Sequence, residues 1–382
     1  MGWNKPVIAI QQEPIPPILW RWFVSFMAII GIGIVCYLLW SEFFRQPQGW
    51  MLLGAVGLIW LVVFGLRMYF FGYRLEMYRL WNQENQYIER EWQSWAGRYM
   101  SVLHNGVFLP EKITAATIMQ EASKIEVQCG IGKTIDYFPW SENKWRDSVK
   151  ILFHSVENAI SELPPDMSIC ITVITNYPEQ EYEKLEMILQ ENWQSVFPSG
   201  RPLSQLNVSP YLSAIHIDNW LKEPTSEVQL LILMQMESTE QFSEGLGVFL
   251  MATDDLVKKF DLVEKARIYR PMEINPEQFE REFGIFINTQ LSAKAATGMM
   301  GDDDSMYLYT SQIMSVIQNQ QAALKLEQIR NIKKIIGVLG PGAYWLTTGL
   351  AIDLSQYNSA HYLVLSNSER RWVINTVQVL EE

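Results

Sequence analysis

Two long apolar runs, separated by only nine residues, constrain this chain more than any other feature. Ile18 to Trp40 is a run of 23 residues whose single charge, Arg21, stands near its start. A helix rises about 1.5 Å per residue, so roughly 20 apolar residues cross the hydrocarbon of a bilayer. Trp50 to Leu66 is a second run, which reaches spanning length if Met68 to Phe71 lie at the far interface. Trp20, Trp22, Trp40 and Trp50, with the cluster Tyr69-Phe70-Phe71, stand where an aromatic belt belongs. Arg21 can snorkel to the headgroups. The expectation is a tail over residues 1–17 and a transmembrane hairpin over 18–72, the membrane contact falling on 18–71. The first run starts late, is long, and has no small-residue cleavage site before the second, which argues against a cleaved signal peptide.

Orientation follows from the Lys/Arg bias. Lys5 and Arg21 lie on the N-terminal side, the connection Ser41 to Gly49 has one Arg and one Glu, and Arg67, Arg74 and Arg79 come soon after the second span. Both ends read as cytoplasmic and the connecting loop as periplasmic or external, an inner-membrane-type arrangement with the soluble part facing the cytoplasm; that the membrane is a bacterial inner membrane is what the resemblance given below implies. Residues 73–100 read as a helix leaving the bilayer, with Tyr78, Trp81, Ile88, Trp92, Trp95 and Tyr99 recurring at spacings of three, four or seven. That stripe suits packing on the soluble domain, self-association or an interfacial position.

With the four basic and two acidic residues of the first 73 set aside, 26 basic and 40 acidic residues remain, a formal charge of -14. A nucleic-acid backbone needs a basic footprint, so that class of partner is excluded. Three cysteines, Cys36, Cys129 and Cys170, with no CxxC spacing, read as reduced thiols and not as a disulfide framework.

From residue 101 to 382 the pattern becomes α/β. Val102 to Leu109 and Ile125 to Cys129 read as strands, and Trp145 to Ile160 as an amphipathic helix ending before Pro164-Pro165. Ser168 to Thr175, Val228 to Met236 and Gly247 to Ala252 read as buried strands, with Tyr182 to Val196 a helix between the first two. Ala266 to Met272 is strand-like, Pro276 to Ala295 and Met306 to Gln321 are helical, and Thr297 to Ser305 is a flexible loop. His361 to Leu365 and Trp372 to Leu380 close the chain as strands. β-branched runs alternating with amphipathic helices predict a mixed or parallel sheet covered on both sides. The fold class is therefore α/β: two N-terminal transmembrane helices followed by a mixed-sheet domain. Two related halves, divided near residues 197–225 with Phe197 to Pro202 as punctuation, remain an open reading.

The chemistry-bearing patterns are incomplete. Cys129-Gly-Ile-Gly-Lys-Thr134 has the end of a P-loop, but Val127 stands where the first Gly belongs and no helix is predicted after it. Asp302, Asp303 and Asp304 lack the alternation and distant Glu of an EF-hand loop. His104, His154, His216 and His361 are scattered without metal-ligand spacing, and no GxSxG elbow occurs. Gly340-Pro-Gly342, before Tyr344 and Trp345, and Glu244-Gly-Leu-Gly247 read as turns; Gly31-Ile-Gly33 suits close helix packing. No catalytic, cofactor or metal site and no cofactor is assigned, and a protein-binding surface is not located.

The layout resembles the membrane-anchored accessory proteins of bacterial type VI secretion gene clusters, those that accompany lipase effectors. The features carrying the resemblance are the two spans, Arg74-Leu-Glu-Met-Tyr-Arg-Leu-Trp81, Trp92-Gln-Ser-Trp-Ala-Gly97 leading into Val102-Leu-His-Asn-Gly-Val-Phe108, and Ile268-Tyr-Arg-Pro-Met272. The resemblance implies a non-enzymatic adaptor whose soluble domain binds a protein, a secreted effector or apparatus component. The alternatives are a membrane-bound immunity protein against a toxin and an acyl-transfer-type enzyme on an α/β scaffold.

Overall fold

The computed structural model describes residues 2–6, 11–120, 130–197, 201–223, 225–237, 241–368 and 371–380. The predicted strand over Ile125 to Cys129 lies outside them. The chain divides into two compact units, residues 6–91 and residues 1–5 with 92–382.

The smaller unit holds helix α1 (Leu19–Leu39) and most of helix α2, which runs unbroken through Pro47–Ala96. Both are long and apolar enough to cross a membrane. Trp60 is packed among the rings of Trp22, Phe26 and Phe64 and donates from Nε1 to Ser25 Oγ at 3.1 Å. A Cβ on Gly33 would meet Leu53 at 2.7 Å, so α1 and α2 touch closely there; Gly31 faces open space. Apolar side chains along both helices, Leu38, Leu39, Met51 and Leu58 among them, are exposed.

The larger unit is built on one mixed sheet. Its strands are β1 (Tyr99–Phe108), β2 (Ile169–Thr175), β3 (Leu203–Ser209), β4 (Val228–Gln235), β5 (Gly245–Thr253), β6 (Ala266–Tyr269), β7 (Met272–Ile274), β8 (Gly298–Gly301), β9 (Ile329–Asn331), β10 (Tyr362–Ser368) and β11 (Arg371–Val379). The spatial order is β3-β2-β4-β5-β1-β6-β11-β10-β8-β9, with β7 beside β11. β2 runs parallel to β3 and β4, and β8 parallel to β9 and β10. The central pairings, β4 with β5, β5 with β1, β1 with β6, β6 with β11 and β11 with β10, are antiparallel.

Helices α3 (Lys144–Glu162) and α4 (Tyr182–Val196) cover one face of β2, β4 and β5. Alternation sends Ile169, Ile171 and Val173 of β2 into that core. Helices α6 (Phe279–Thr289) and α7 (Thr310–Gln320) pack similarly against β10 and β11. The opposite face of both flanks closes on α8 (Ala343–Asn358), whose Trp345, Leu346, Leu350, Ala351, Ile352 and Leu354 are all buried. A Cβ at Gly349 would lie 2.2 Å from Val107 and 2.9 Å from Phe249, so only glycine lets α8 approach β1 and β5 this closely. Helix α5 (His216–Lys222) lies on the same side.

Several sequence expectations are corrected. Gly340-Pro-Gly342 is the expected turn, closed by the Ala343 N–H on Gly340 O at 3.0 Å, but it leads into α8, a helix the sequence reading did not place because its residues are buried on nearly every face and leave no helical period to read. Residues 297–305 are not a flexible loop: Gly298–Gly301 is the fully buried strand β8. The aromatic helix stops at Ala96, and Tyr99 already belongs to β1.

Asp302, expected in solvent, is buried; its carboxylate accepts from the Asn367 N–H at 2.9 Å and from the Ser366 hydroxyl. Burial raises its pKa from 3.8 to about 6 despite those bonds. A raised carboxyl contributes its stability below the unfolded value and loses it as pH rises through about 6, up to about 3 kcal/mol by linkage. Asp302→Asn keeps an acceptor for Asn367 and removes the charge. Its urea midpoint is expected to gain on wild type between pH 4 and pH 7.5; a difference between the two proteins that does not change with pH would contradict a buried, titrating carboxyl.

Candidate functional site

Helix α5 has 7 residues where α8 has 16, so the face of the parallel strands on its side is only partly covered. Side chains pointing to that face are polar: Cys170 and Thr172 from β2, Gln205, Asn207 and Ser209 from β3, and Gln229 from β4. With Tyr211, Leu212, His216 and Trp220 they line a cavity of about 500 Å³, and Glu223 and Glu227 stand beside it. This is within the range of roughly 300–1,000 Å³ that small-molecule sites occupy.

Cys170 is the nucleophilic group of the cavity. It is buried, and in register it stands between Gln205 of β3 and Gln229 of β4. Burial, and then the Glu227 carboxylate, push its thiol above the ordinary range, while a hydrogen bond with Thr172 pulls the other way. The thiol is thus protonated at rest and needs a base to become a thiolate. His216, the first residue of α5, is exposed on the cavity wall, its ring 6.5 Å from that of Trp220. The loop before α5 is tied to the core by Trp345, whose Nε1 donates to Leu212 O at 3.0 Å.

The other sequence candidates are not brought here. His104 on β1 faces Lys265 at 3.5 Å and is held down to about 4 by burial and that cation. His154 pairs with Glu157 at 3.1 Å, and His361 Nδ1 lies 3.2 Å from Ser292 O. Cys129 lies outside the described residues, and the stretch from Gly130 to Asp136 is not a helix. Among the described residues no group of three or more His, Cys, Asp and Glu could hold a metal. The Glu244 segment is not a turn: Glu244 is buried, accepting from the Ile135 and Glu237 N–H groups, and β5 begins at Gly245. A second cavity of about 490 Å³ opens at the carboxyl ends of β2 and β4, around Asn176, Tyr177, Lys144 and Glu237. It holds neither thiol nor imidazole.

Sequence reasoning missed that Cys170 and His216 line one cavity. The available signal was alternation: in Ile169-Cys-Ile-Thr-Val173 the odd positions are β-branched and the even ones polar, which marks one face as something other than core.

No family model matches the chain, and no curated protein matches it. Solved structures do. A type II polyketide synthase ketosynthase, in complex with its acyl-carrier protein and bound to the hexaketide, is 11% identical, with a TM-score of 0.52 over 74% of this chain and 100% of that one. Ketosynthase twelve of the bacillaene polyketide synthase from Bacillus amyloliquefaciens is 11% identical over 74% of each chain, with a TM-score of 0.48. The 3-oxoacyl-[acyl-carrier-protein] synthase III of Aquifex aeolicus VF5 is 10% identical over 73% of this chain and 99% of its own, with a TM-score of 0.42. The first of these likenesses shows a thiolase-like mixed α/β fold. It overturns the reading of the soluble domain as a non-enzymatic adaptor or an immunity protein: the body has the fold of that ketosynthase.

Proposed function

We propose that this chain is a membrane-anchored acyl-transfer enzyme that takes an acyl group from a thioester onto Cys170. The observation carrying the reading is that Cys170 and His216 line one cavity in a body with the fold of a ketosynthase. His216 accepts the thiol proton; the thiolate attacks the acyl carbonyl carbon; the carbon–sulfur bond of the donor breaks, and the departing thiolate takes the proton back from His216. The products are an acylated Cys170 and a free thiol, so no oxidant or further reactant is needed. The ketosynthase it resembles is paired with an acyl-carrier protein, and a carrier-borne acyl thioester is the corresponding donor class for this chain.

Two further points belong to the proposal. The first is anchorage through α1 and α2. Residues 2–5 belong to the same compact unit as 92–382, with two candidate spans between them. Such a chain leaves its body and returns to it on one side of a bilayer, and Arg67, Arg74 and Arg79 favour the cytoplasmic side. The second is an internal repeat. Counted in chain order within each flank, β3-β2-β4-β5-β1 and β9-β8-β10-β11-β6 have the same order and the same parallel and antiparallel pairings. This supports two related halves meeting at the β1–β6 pairing, with the division between Thr253 and Ala266 and not near 197–225.

The test is thiol release from a short-chain acyl-pantetheine by the detergent-solubilised full chain. Wild type is expected to release a burst stoichiometric with protein, and Cys170→Ala to lose it by at least about 100-fold. Equal release by both, or none by wild type, overturns the reading.

A further inference from the structure

The wall of the cavity that carries His216 and Trp220 is held from behind by a buried arginine. Arg270, just past β6, is 1% exposed. Its Nε lies 3.1 Å from Asp218 Oδ1, and Asp218 is on α5, two residues from His216 and two from Trp220. Its guanidinium carbon sits 4.0 Å from the ring centroid of Trp95, in the last turn of α2. Nε and Nη1 of Arg270 make no hydrogen bond among the described residues; its charge is compensated by the Asp218 carboxylate, by Asp254 at longer range and by the face of Trp95. Removing Asp218 or Trp95 leaves a buried cation exposed to the cost of desolvation.

The neighbours close the joint. Arg98 donates from Nη1 to Leu221 O at 2.7 Å, gripping the C-terminal end of α5, and from Nη2 to Asp254 at 2.7 Å. Gln290 donates to both Ala96 O at 2.9 Å and Arg270 O at 3.2 Å, fixing the end of α2 against the residue after β6. On the other side of Trp95 lies the N-terminal tail. The Trp3 ring stands edge-on to Trp95 at 5.4 Å and 5.4 Å from Phe286; its Nε1 donates to Pro271 O at 3.2 Å, and Lys5 Nζ to Thr289 Oγ1 at 3.1 Å. All of these residues belong to the larger unit.

We propose that Arg270 is a positioning residue for the cavity. It couples the seating of Trp3 and Trp95 to α5, so that when the tail is docked α5 is held over Cys170, and when it is released α5 loosens and the cavity opens. Arginine is required because its planar guanidinium can stack on Trp95 with one face while its edge meets Asp218; a lysine ammonium cannot do both. The device places control of the site at the point where the chain enters and re-enters the body, next to the segment read as its membrane anchor. The inference rests on the reading of this cavity as the functional site, but its test does not use acyl chemistry.

The experiment measures two quantities on the full chain in detergent: the rate of Cys170 alkylation by iodoacetamide, mapped by peptide mass, and hydrogen exchange over residues 210–222. Trp3→Ala alters a half-buried group, and Asp218→Asn leaves an amide oxygen facing the Arg270 guanidinium; a melting temperature recorded on each variant separates local loosening from loss of the fold. Each is expected to raise the alkylation rate about tenfold and to speed exchange in 210–222, with the rest of the body unchanged. The double variant should match the stronger single one, because both act through one contact chain. Unchanged alkylation and exchange in both variants, or a rise spread evenly over the whole body, overturns the proposal; so do fully additive effects. Absence of thioester turnover in wild type would sink the acyl-transfer reading and leave this measurement intact.

Discussion

Trp345→Ala is expected to lower the stability of the larger unit by about 4 kcal/mol, the range for a large aromatic removed from a core being about 3–5 kcal/mol. Trp345 is 0% exposed and packs against Tyr344, Phe249 and Trp220. Its Nε1 also satisfies Leu212 O, and leaving that carbonyl unpaired adds to the loss. Against a total stability of roughly 5–15 kcal/mol this is a large fraction, and for a body of this size it corresponds to a fall in melting temperature of about 6 °C. Trp345→Phe keeps most of the volume but leaves Leu212 O unpaired, so it should cost about 2 kcal/mol, less than the alanine variant. A melting temperature for Trp345→Ala within about 2 °C of wild type would mean that α8 is not the central element described above.

His216→Ala is expected to slow acyl capture by Cys170 by about 100-fold or more near neutral pH, the usual scale for loss of a general base. The sign of the residual pH dependence is a sharper check. The Cys170 thiol is held above its ordinary range by burial and by Glu227. Without the imidazole the reaction depends on the spontaneous thiolate fraction, which rises about tenfold per pH unit below the thiol pKa. The variant should therefore recover progressively toward wild type as pH rises, while Cys170→Ala stays inactive throughout. A His216→Ala protein with the wild-type rate at pH 7 would remove the imidazole from the mechanism.

Legibility in the sequence tracks periodicity. The helices α1 and α2 stand out because their apolar runs are uninterrupted; α3 and α4 because one face of each is apolar; β2, β4 and β5 because they are β-branched and bounded by turn residues. Helix α8 is hidden by the opposite circumstance. Buried on all sides, with Thr347, Thr348 and Ser355 turned inward as well, it shows neither amphipathic stripe nor cap, and its leading Gly-Pro-Gly looks like a simple turn. β3 escapes notice as a half-exposed edge strand of mixed polarity, and α5 as a helix of only two turns. These two elements form the cavity wall, which is why the site is not legible although each of its reactive residues can be weighed singly. Cys170 reads as an ordinary buried thiol and His216 as an isolated imidazole until the return of the chain through β3 and α5 sets them around one space. The adaptor reading failed for a related reason: without β3, β8 and β9 the strand order of the larger unit cannot be assembled from the sequence.

The most direct test of acyl transfer to Cys170 is the intact mass of the full chain after brief exposure to an acyl thioester at pH 7, followed by acid quench and peptide mapping. The expected result is a mass increase equal to one acyl group per chain, on the peptide containing Cys170, absent in Cys170→Ala and reversed by hydroxylamine as a thioester should be. An unmodified chain, or acylation found on Cys36 or on lysines and undiminished in Cys170→Ala, would contradict it.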